Sequence, residues 1–146
     1  MQNDSPAITV TVVPKGYHSV SPYLLVDDVP ALISFLQATF DAVEIERLQR
    51  PDGSVGHAEV KIGDSIVMMG GGQTMPTHLY VYVADVDATH ARGLAAGATS
   101  VRAPEVQFYG DRVGAVKDPF GNTWWIATHV EDVTPAEIQR RAREQR

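Results

Sequence analysis

Apolar residues recur at helical spacing in two separate stretches of the chain, and each stretch begins just after an aspartate. Asp28 precedes the first stretch and Asp85 the second. A carboxylate at this position accepts hydrogen bonds from the free N–H groups in the first turn of a helix. The first apolar stripe consists of Val29, Leu32, Ile33, Leu36 and Phe40. The pattern predicts a helix after Asp28 and a second one over 86–96, and each must bury its stripe against a sheet.

Short runs rich in β-branched and aromatic residues precede and follow each predicted helix, as is typical of strands. Turn-forming residues separate these runs, most clearly in the sequence DPFGN at 118–122. An alternating run at 8–13 predicts an edge strand, and 19–26 predicts the strand before the first helix. The predicted strands after the helices are 44–48, 57–62, 65–69, 98–101, 112–117 and 123–128. Each half of the chain therefore has the pattern of one βαβββ unit.

The two halves repeat the same pattern. A shift of 57 positions places Tyr23 on Tyr80 and Asp28 on Asp85. The same shift aligns three further apolar pairs, which are Leu24 with Val81, Val26 with Val83 and Val29 with Val86. A repeat of this size indicates two copies of one supersecondary unit.

These elements divide the chain into a leader with its edge strand (1–16), a single domain (17–130) and a tail (131–146). Within the domain, a glycine-rich linker at 71–76 joins a first unit at 17–70 to a second unit at 77–130. In the tail, Thr134 to Glu137 form a capping box with proline at the first helical position, which predicts a C-terminal helix. We predict an α+β fold in which two βαβββ units form a curved mixed sheet with a concave cleft.

Side chains alternate between the two faces of a strand, so Trp124 and Trp125 must point to opposite faces. One of them therefore faces something other than the packing helix. The same alternation predicts which positions of the two leading strands face the cleft, namely Ser21, Tyr23, Leu25, His78, Tyr80 and Tyr82.

Composition narrows the possible partners. A formal net charge of -6 disfavours a nucleic-acid groove or an anionic membrane surface. The absence of cysteine excludes disulfides, thiolate metal sites and cysteine nucleophiles. No signal-peptide pattern is present, and the apolar runs fall far short of the ~20 residues of a membrane helix. We therefore expect a cytoplasmic protein with neither nucleic acid nor membrane as a partner.

Three sequence words, in order along the chain, carry a family resemblance: SPYLLVDD at 21–28, HAEVKIGDSIVMM at 57–69, and YGDR with DPFGNTWWIATHVEDV between 109 and 133. Together they resemble the vicinal oxygen chelate superfamily of glyoxalase, bleomycin-resistance and dioxygenase proteins, specifically its PhnB-like branch. The resemblance implies the glyoxalase fold and a homodimer. That superfamily includes metal-dependent isomerases, lyases and dioxygenases beside proteins that only bind a ligand, so whether this chain is an enzyme stays open.

The resemblance also assigns the metal positions of the superfamily, one in the first and one in the last strand of each unit. In this chain they fall on Ser21, Met68, His78 and Trp125. Because His78 is the one clear ligand of the four, we expect no catalytic metal. The alternative is a divalent cation such as Zn, Ni, Mn or Fe at His78 together with His57 and Glu59, which alternate onto one strand face.

The aromatic residues are too numerous for one helix-packed face. We therefore predict an aromatic-lined cleft that binds a small hydrophobic or aromatic molecule without a metal. The candidate ligand-binding residues are Tyr23, His78, Tyr80, Tyr82, Phe108, Tyr109, Arg112 and Trp125. Asp111, the neighbour of Arg112, could orient the Arg112 side chain towards a ligand, or the two residues could brace a loop.

Four alternatives to this hypothesis stay open. His78 could be a polar residue at the rim of the cleft, and some of the aromatic residues could close a dimer interface. The chain could also be a metal-dependent lyase, isomerase or dioxygenase, or a module that binds a protein partner.

Overall fold

The computed structural model describes residues 10–145, which form two four-stranded mixed sheets and three helices and confirm the predicted α+β fold class. The elements follow one another as β1 (Tyr23–Val26), α1 (Val29–Phe40), β2 (Val43–Gln49), β3 (Val55–Ile62), β4 (Ser65–Gly71), β5 (His78–Tyr82), α2 (Val86–Ala95), β6 (Thr99–Val106), β7 (Asp111–Lys117), β8 (Thr123–His129) and α3 (Pro135–Glu144). Of the edge strand predicted at 8–13, residues 8 and 9 lie outside the described part, and residues 10–13 form no strand.

The two units pair their strands in the same way. The strand orders are β1-β4-β3-β2 and β5-β8-β7-β6, with one parallel pair in each sheet. Tyr23 lies opposite Met68 in the first sheet, and Tyr80 lies opposite Trp125 in the second. These two pairs are related by the shift found in the sequence, so the repeat extends to the register of the strands.

Each helix begins where its capping residue predicts. The Asp28 carboxylate accepts a hydrogen bond from the N–H of Ala31, and Asp85 does the same for Ala88, each at 3.1 Å. The Thr134 hydroxyl accepts from the N–H of Glu137 at 3.2 Å. Within residues 10–145, no helix is both long enough and apolar enough to cross a membrane.

α1, α2 and the inner faces of both sheets share one hydrophobic core. Leu24 and Val26 of β1 are buried in it, and so are Trp124 and Ile126 of β8. The Trp124 ring packs against Phe40 of α1 with centroids 5.2 Å apart. Trp125, on the opposite face of β8, is only partly buried. The predicted division of the two tryptophans is therefore confirmed.

A buried carboxylate organises the turn between β7 and β8. Asp118 accepts hydrogen bonds from the N–H groups of Phe120 and Asn122, from the Asn122 amide and from the Trp124 indole, at 2.9 to 3.0 Å. Gly121 has φ +88°, which a residue with a side chain rarely adopts. The turn therefore fixes the point from which β8 starts and the face on which Trp125 lies.

Candidate functional site

A groove runs between the free edges of β1 and β5. One part, of about 300 Å³, is lined by Pro22, Tyr23, Thr77, His78 and Tyr80 among others. The adjoining part, of about 420 Å³, is lined by Tyr80, Tyr82 and Trp124 together with Val67 and Val81. We call the two parts the β1–β5 groove. The structure thus brings together four of the residues predicted to bind a ligand, Tyr23, His78, Tyr80 and Tyr82.

The tyrosine side chains along the groove are exposed on the outer face. The outer face is the side of each sheet away from the helices. Tyr23, Tyr80 and Tyr82 are 52%, 44% and 63% exposed, respectively. On the same face of β8, the Trp125 indole N–H donates to Nδ1 of His78 at 3.2 Å. Because that bond uses Nδ1, it leaves Nε2 as the ring nitrogen of His78 that a ligand can reach.

A buried carboxylate holds the two tyrosines of β5. Asp111, at the start of β7, is 3% exposed. Its Oδ2 accepts from the hydroxyls of Tyr80 and Tyr82 at 2.8 and 2.9 Å. Its Oδ1 lies 2.8 Å from Nδ1 of His129, at the end of β8. Nε2 of His129 lies 2.6 Å from the fully exposed carboxylate of Asp132. We call these five residues the Asp111 network.

Proton affinities within the network follow from these contacts. Burial raises the pKa of Tyr80, and its bond to Asp111 raises it further. The hydrogen bond from the Tyr82 hydroxyl to Asp111 is the main cause of the raised pKa of Tyr82. Burial also raises the pKa of Asp111, but hydrogen bonds from His129, Tyr80 and Tyr82 outweigh this and lower it. The bonds to Asp111 and Asp132 raise the pKa of His129. Both tyrosines therefore stay protonated donors at neutral pH.

Gly110 sets the position of the network. It has φ +102°, and a Cβ at this position would clash with the backbone oxygen of Glu131. Its own carbonyl accepts from the N–H groups of Val130 and Glu131 at 2.9 and 3.1 Å. This close approach ties the segment after β8 to the start of β7, and it therefore places His129 beside Asp111.

The first unit carries a separate polar cluster on its outer face. Glu59 is 5% exposed; its carboxylate accepts from the Tyr17 hydroxyl and lies 2.8 Å from Nε2 of His57. Burial raises the pKa of Glu59, but the bonds from His57 and Tyr17 outweigh it and lower the pKa. One ligand atom each from Glu46, His57 and Glu59 lie within 4.8 Å of one another.

This cluster differs by one residue from the set of metal ligands considered from the sequence. Among the described residues, the group whose ligand atoms converge contains Glu46 and does not contain His78. His78 instead contacts Trp125. The converging group thus shares His57 and Glu59 with the set considered from the sequence and has Glu46 in place of His78, because β2 pairs with β3 and places Glu46 opposite Glu59.

The expected pair of Asp111 and Arg112 does not form. Arg112 points to the helix side of β7, where its guanidinium binds the Asp87 carboxylate of α2 at 2.8 and 2.9 Å. Alternation explains this, because consecutive residues of a strand face opposite sides. Phe108 and Tyr109 lie in the turn before β7, with their rings 5.3 Å apart and nearly perpendicular. The Tyr109 hydroxyl contributes to the raised pKa of Tyr80, so this turn borders the network.

Four residues of these clusters were not predicted: Tyr17, Glu46, His129 and Asp132. Their roles depend on strand register and on how the chain returns after β8, which a single sequence does not fix. The sequence word HVED at 129–132 does carry one signal, a histidine with an acidic residue three positions later at the end of a predicted strand.

Comparison with known families and proteins gives consistent matches. Residues 16–126 match the model of the Glyoxalase/Bleomycin resistance protein/Dioxygenase superfamily. An uncharacterized protein of Mycobacterium tuberculosis (strain CDC 1551 / Oshkosh), MT0910, is 40% identical over 153 aligned positions, which cover 94% of this chain and 86% of that protein.

Solved structures show the same fold. TioX from Micromonospora sp. ML1 is 26% identical with a TM-score of 0.65, and the match covers 77% of this chain and all of TioX. The fosfomycin resistance protein FosX from Listeria monocytogenes, solved with Mn(II) and sulfate, is 20% identical with a TM-score of 0.61. That match covers 86% of this chain and 97% of FosX.

Proposed function

Because this chain belongs to the glyoxalase/bleomycin resistance/dioxygenase superfamily, we propose that it binds a small aromatic or hydrophobic molecule in the β1–β5 groove. The observation that carries this proposal is the set of exposed tyrosine rings along the groove, two of which are held in place by one buried carboxylate. Rings whose hydroxyls are already anchored lose little conformational freedom when a ligand stacks on them. The groove volumes lie within the range of small-molecule sites or at its lower end.

The proposal needs no catalytic metal. At the positions where metal enzymes resembling this chain carry ligands, β4 presents the thioether of Met68 and β8 presents the indole of Trp125. An indole N–H cannot coordinate a cation, and a thioether is a poor ligand for a hard divalent ion. These side chains instead enlarge the apolar surface of the outer face, which suits an aromatic ligand.

A calorimetric titration with 2-naphthylmethanol tests this function. We expect measurable binding to the wild-type protein and a loss of about tenfold or more in affinity in Tyr80→Ala, because the Tyr80 ring lines both parts of the groove. Val101→Ala, which shortens an exposed apolar side chain on edge strand β6, is the matched control and should bind like the wild type. Equal affinity in Tyr80→Ala and the wild type would place the ligand elsewhere, and no binding to the wild type would contradict the proposal.

A divalent-metal enzyme of the lyase, isomerase or dioxygenase type is the second candidate. The convergence of Glu46, His57 and Glu59 favours it. One imidazole nitrogen and two carboxylates fit the donor set of such a cation and leave positions open for substrate. When bound, the cation would supply a Lewis acid. In the described geometry, Tyr17 and His57 already hold both oxygens of Glu59, so a cation has to replace these hydrogen bonds.

Elemental analysis and calorimetric titration with nickel, zinc, manganese and iron(II) test the second candidate. Tight stoichiometric binding that Glu59→Gln abolishes and His78→Ala leaves intact would support the Glu46, His57 and Glu59 set. Glu44→Gln is the matched control, because Glu44 is an exposed carboxylate on β2, the strand of Glu46, and pairs with Arg47 instead. No binding by the wild-type protein would eliminate this candidate.

We further propose three properties: membership of the PhnB-like branch and a homodimer, which the resemblance implies, and a cytoplasmic location, which the composition favours. The exposed apolar residues of the edge strands support the homodimer, among them Leu48 on β2, which is 52% exposed. Sedimentation equilibrium would give the mass directly, and a monomer at micromolar concentration would contradict the dimer.

A further inference from the structure

We propose that His129 is an anchoring site for the carboxylate of an aromatic acid, and that Asp132 occupies this site in the absence of ligand. The proposal rests on the function above, since it names the class of molecule that the aromatic residues of β5 would bind. It follows from the arrangement of the Asp111 network.

Each ring nitrogen of His129 lies within hydrogen-bonding distance of a carboxylate. Nδ1 lies 2.8 Å from Asp111 and Nε2 lies 2.6 Å from Asp132. A carboxylate accepts hydrogen bonds and does not donate them when ionised, so both ring nitrogens carry protons in this geometry. His129 is therefore a cation, with one N–H directed into the protein and the other directed outward.

The two carboxylates hold this cation with unequal firmness. Asp111 is almost fully buried and is also bound by two tyrosine hydroxyls, so breaking its contact with His129 would leave a buried carboxylate oxygen without this partner. Asp132 is fully exposed and follows β8 by three residues. An exposed pair of this kind contributes little to stability. The outer N–H of His129 is therefore the one donor of the network that a ligand can take over at little cost.

Tyr82 connects this donor with the proposed groove. Its ring lines the groove and is 63% exposed, while its hydroxyl shares the Asp111 carboxylate with His129. A planar ring stacked on Tyr82 would thus lie next to the pair that Asp111 forms with His129. A carboxylate is the group that matches a single outward N–H carrying a positive charge, and the exposed Asp132 carboxylate already shows this contact within the chain.

Calorimetric titrations with 2-naphthoate, 2-naphthylmethanol and 2-naphthylmethylammonium at pH 7 test the proposal. In the wild type we expect naphthoate to bind more tightly than the other two. His129→Gln should weaken naphthoate by about tenfold, as for one charge-assisted hydrogen bond, and leave naphthylmethanol unchanged. Asp132→Asn should strengthen naphthoate severalfold, because it removes both the competing carboxylate and its repulsion. Glu131→Gln is the matched control, since Glu131 pairs with Arg141 instead.

Each other outcome is decisive. If naphthoate is no better than naphthylmethanol, or if Asp132→Asn fails to strengthen it, the anchoring site is refuted while the groove proposal stands on naphthylmethanol binding. If naphthylmethylammonium binds best, the acidic residues and not His129 select the ligand, and the inference is wrong. If none of the three binds to the wild type, both proposals fail.

Discussion

His129 lies between a buried and an exposed carboxylate, and this environment makes the free energy of unfolding depend on pH. Its pKa is raised above the ordinary value of 6.5, chiefly by the hydrogen bonds to Asp111 and Asp132. The groups that face it are Asp111 from β7 and Asp132 from the segment after β8, with Tyr80 and Tyr82 acting through Asp111. A raised pKa means that the folded state binds the proton more tightly than the unfolded state.

The raised pKa of His129 makes the folded state more stable at low pH than at high pH. The stabilisation is fully present below pH 6.5 and is lost as the pH rises through the higher pKa of the folded state. We therefore expect urea midpoints of the wild type to fall more steeply than those of His129→Gln as the pH rises above 6.5. Parallel curves for the two proteins would show that His129 is not protonated as the structure indicates. An NMR titration of the imidazole would report the same pKa directly.

Individual residues differ in how far the sequence reveals their roles. Asp118 was predicted as a turn carboxylate, because its partners lie within the next six positions. The Tyr82 hydroxyl and Asp111 are far apart in the chain and meet only when β5, β8 and β7 lie side by side. Arg112 shows the opposite error, because its neighbour Asp111 was close in sequence yet faces the other side of the strand.

α1 and α2, one from each unit, provide a matched pair for testing the repeat. Asp28 and Asp85 cap α1 and α2 through the same contact at the same distance. Replacing either with alanine should lower the free energy of unfolding by about 1 kcal/mol, because one helix N–H group loses its acceptor. Urea unfolding of the two variants measures this, with Asp27→Ala as the control, since Asp27 is exposed and precedes the cap. An effect in only one helix would mean that the repeat is not equivalent in energy.

Helices and hairpins were predicted more closely than the edges of the sheets. α1, α2 and α3 begin at the predicted residues because their caps are local signals. β6 extends to Val106, well past the predicted end, and includes Pro104. β6 is an edge strand, so its free side has no neighbouring strand to accept a hydrogen bond. Proline, which lacks the backbone N–H, is therefore tolerated there. β1 begins only at Tyr23, directly after Pro22.

The two units are joined by more than the linker, and this determines how the molecule unfolds. Phe40 of α1 packs on Trp124 of β8, and Arg92 of α2 binds the Asp41 carboxylate and the Ala38 carbonyl at the end of α1. The core that results contains side chains from both sheets. The sequence repeat predicted two similar units, but it did not predict that their helices pack against each other, because no local pattern records a contact between units.

We therefore expect residues 10–145 to unfold in one cooperative transition. Phe40→Ala should lower the free energy of unfolding by about 3–5 kcal/mol, since it leaves a cavity against Trp124. Leu94→Ala is the control, because Leu94 is 38% exposed on α2 and should have little effect. Tryptophan fluorescence, which reports the second unit, and far-UV circular dichroism, which reports both, should give coincident urea transitions. Two separated transitions would show that the units are stable independently, and the groove between β1 and β5 would then change its width without unfolding either unit.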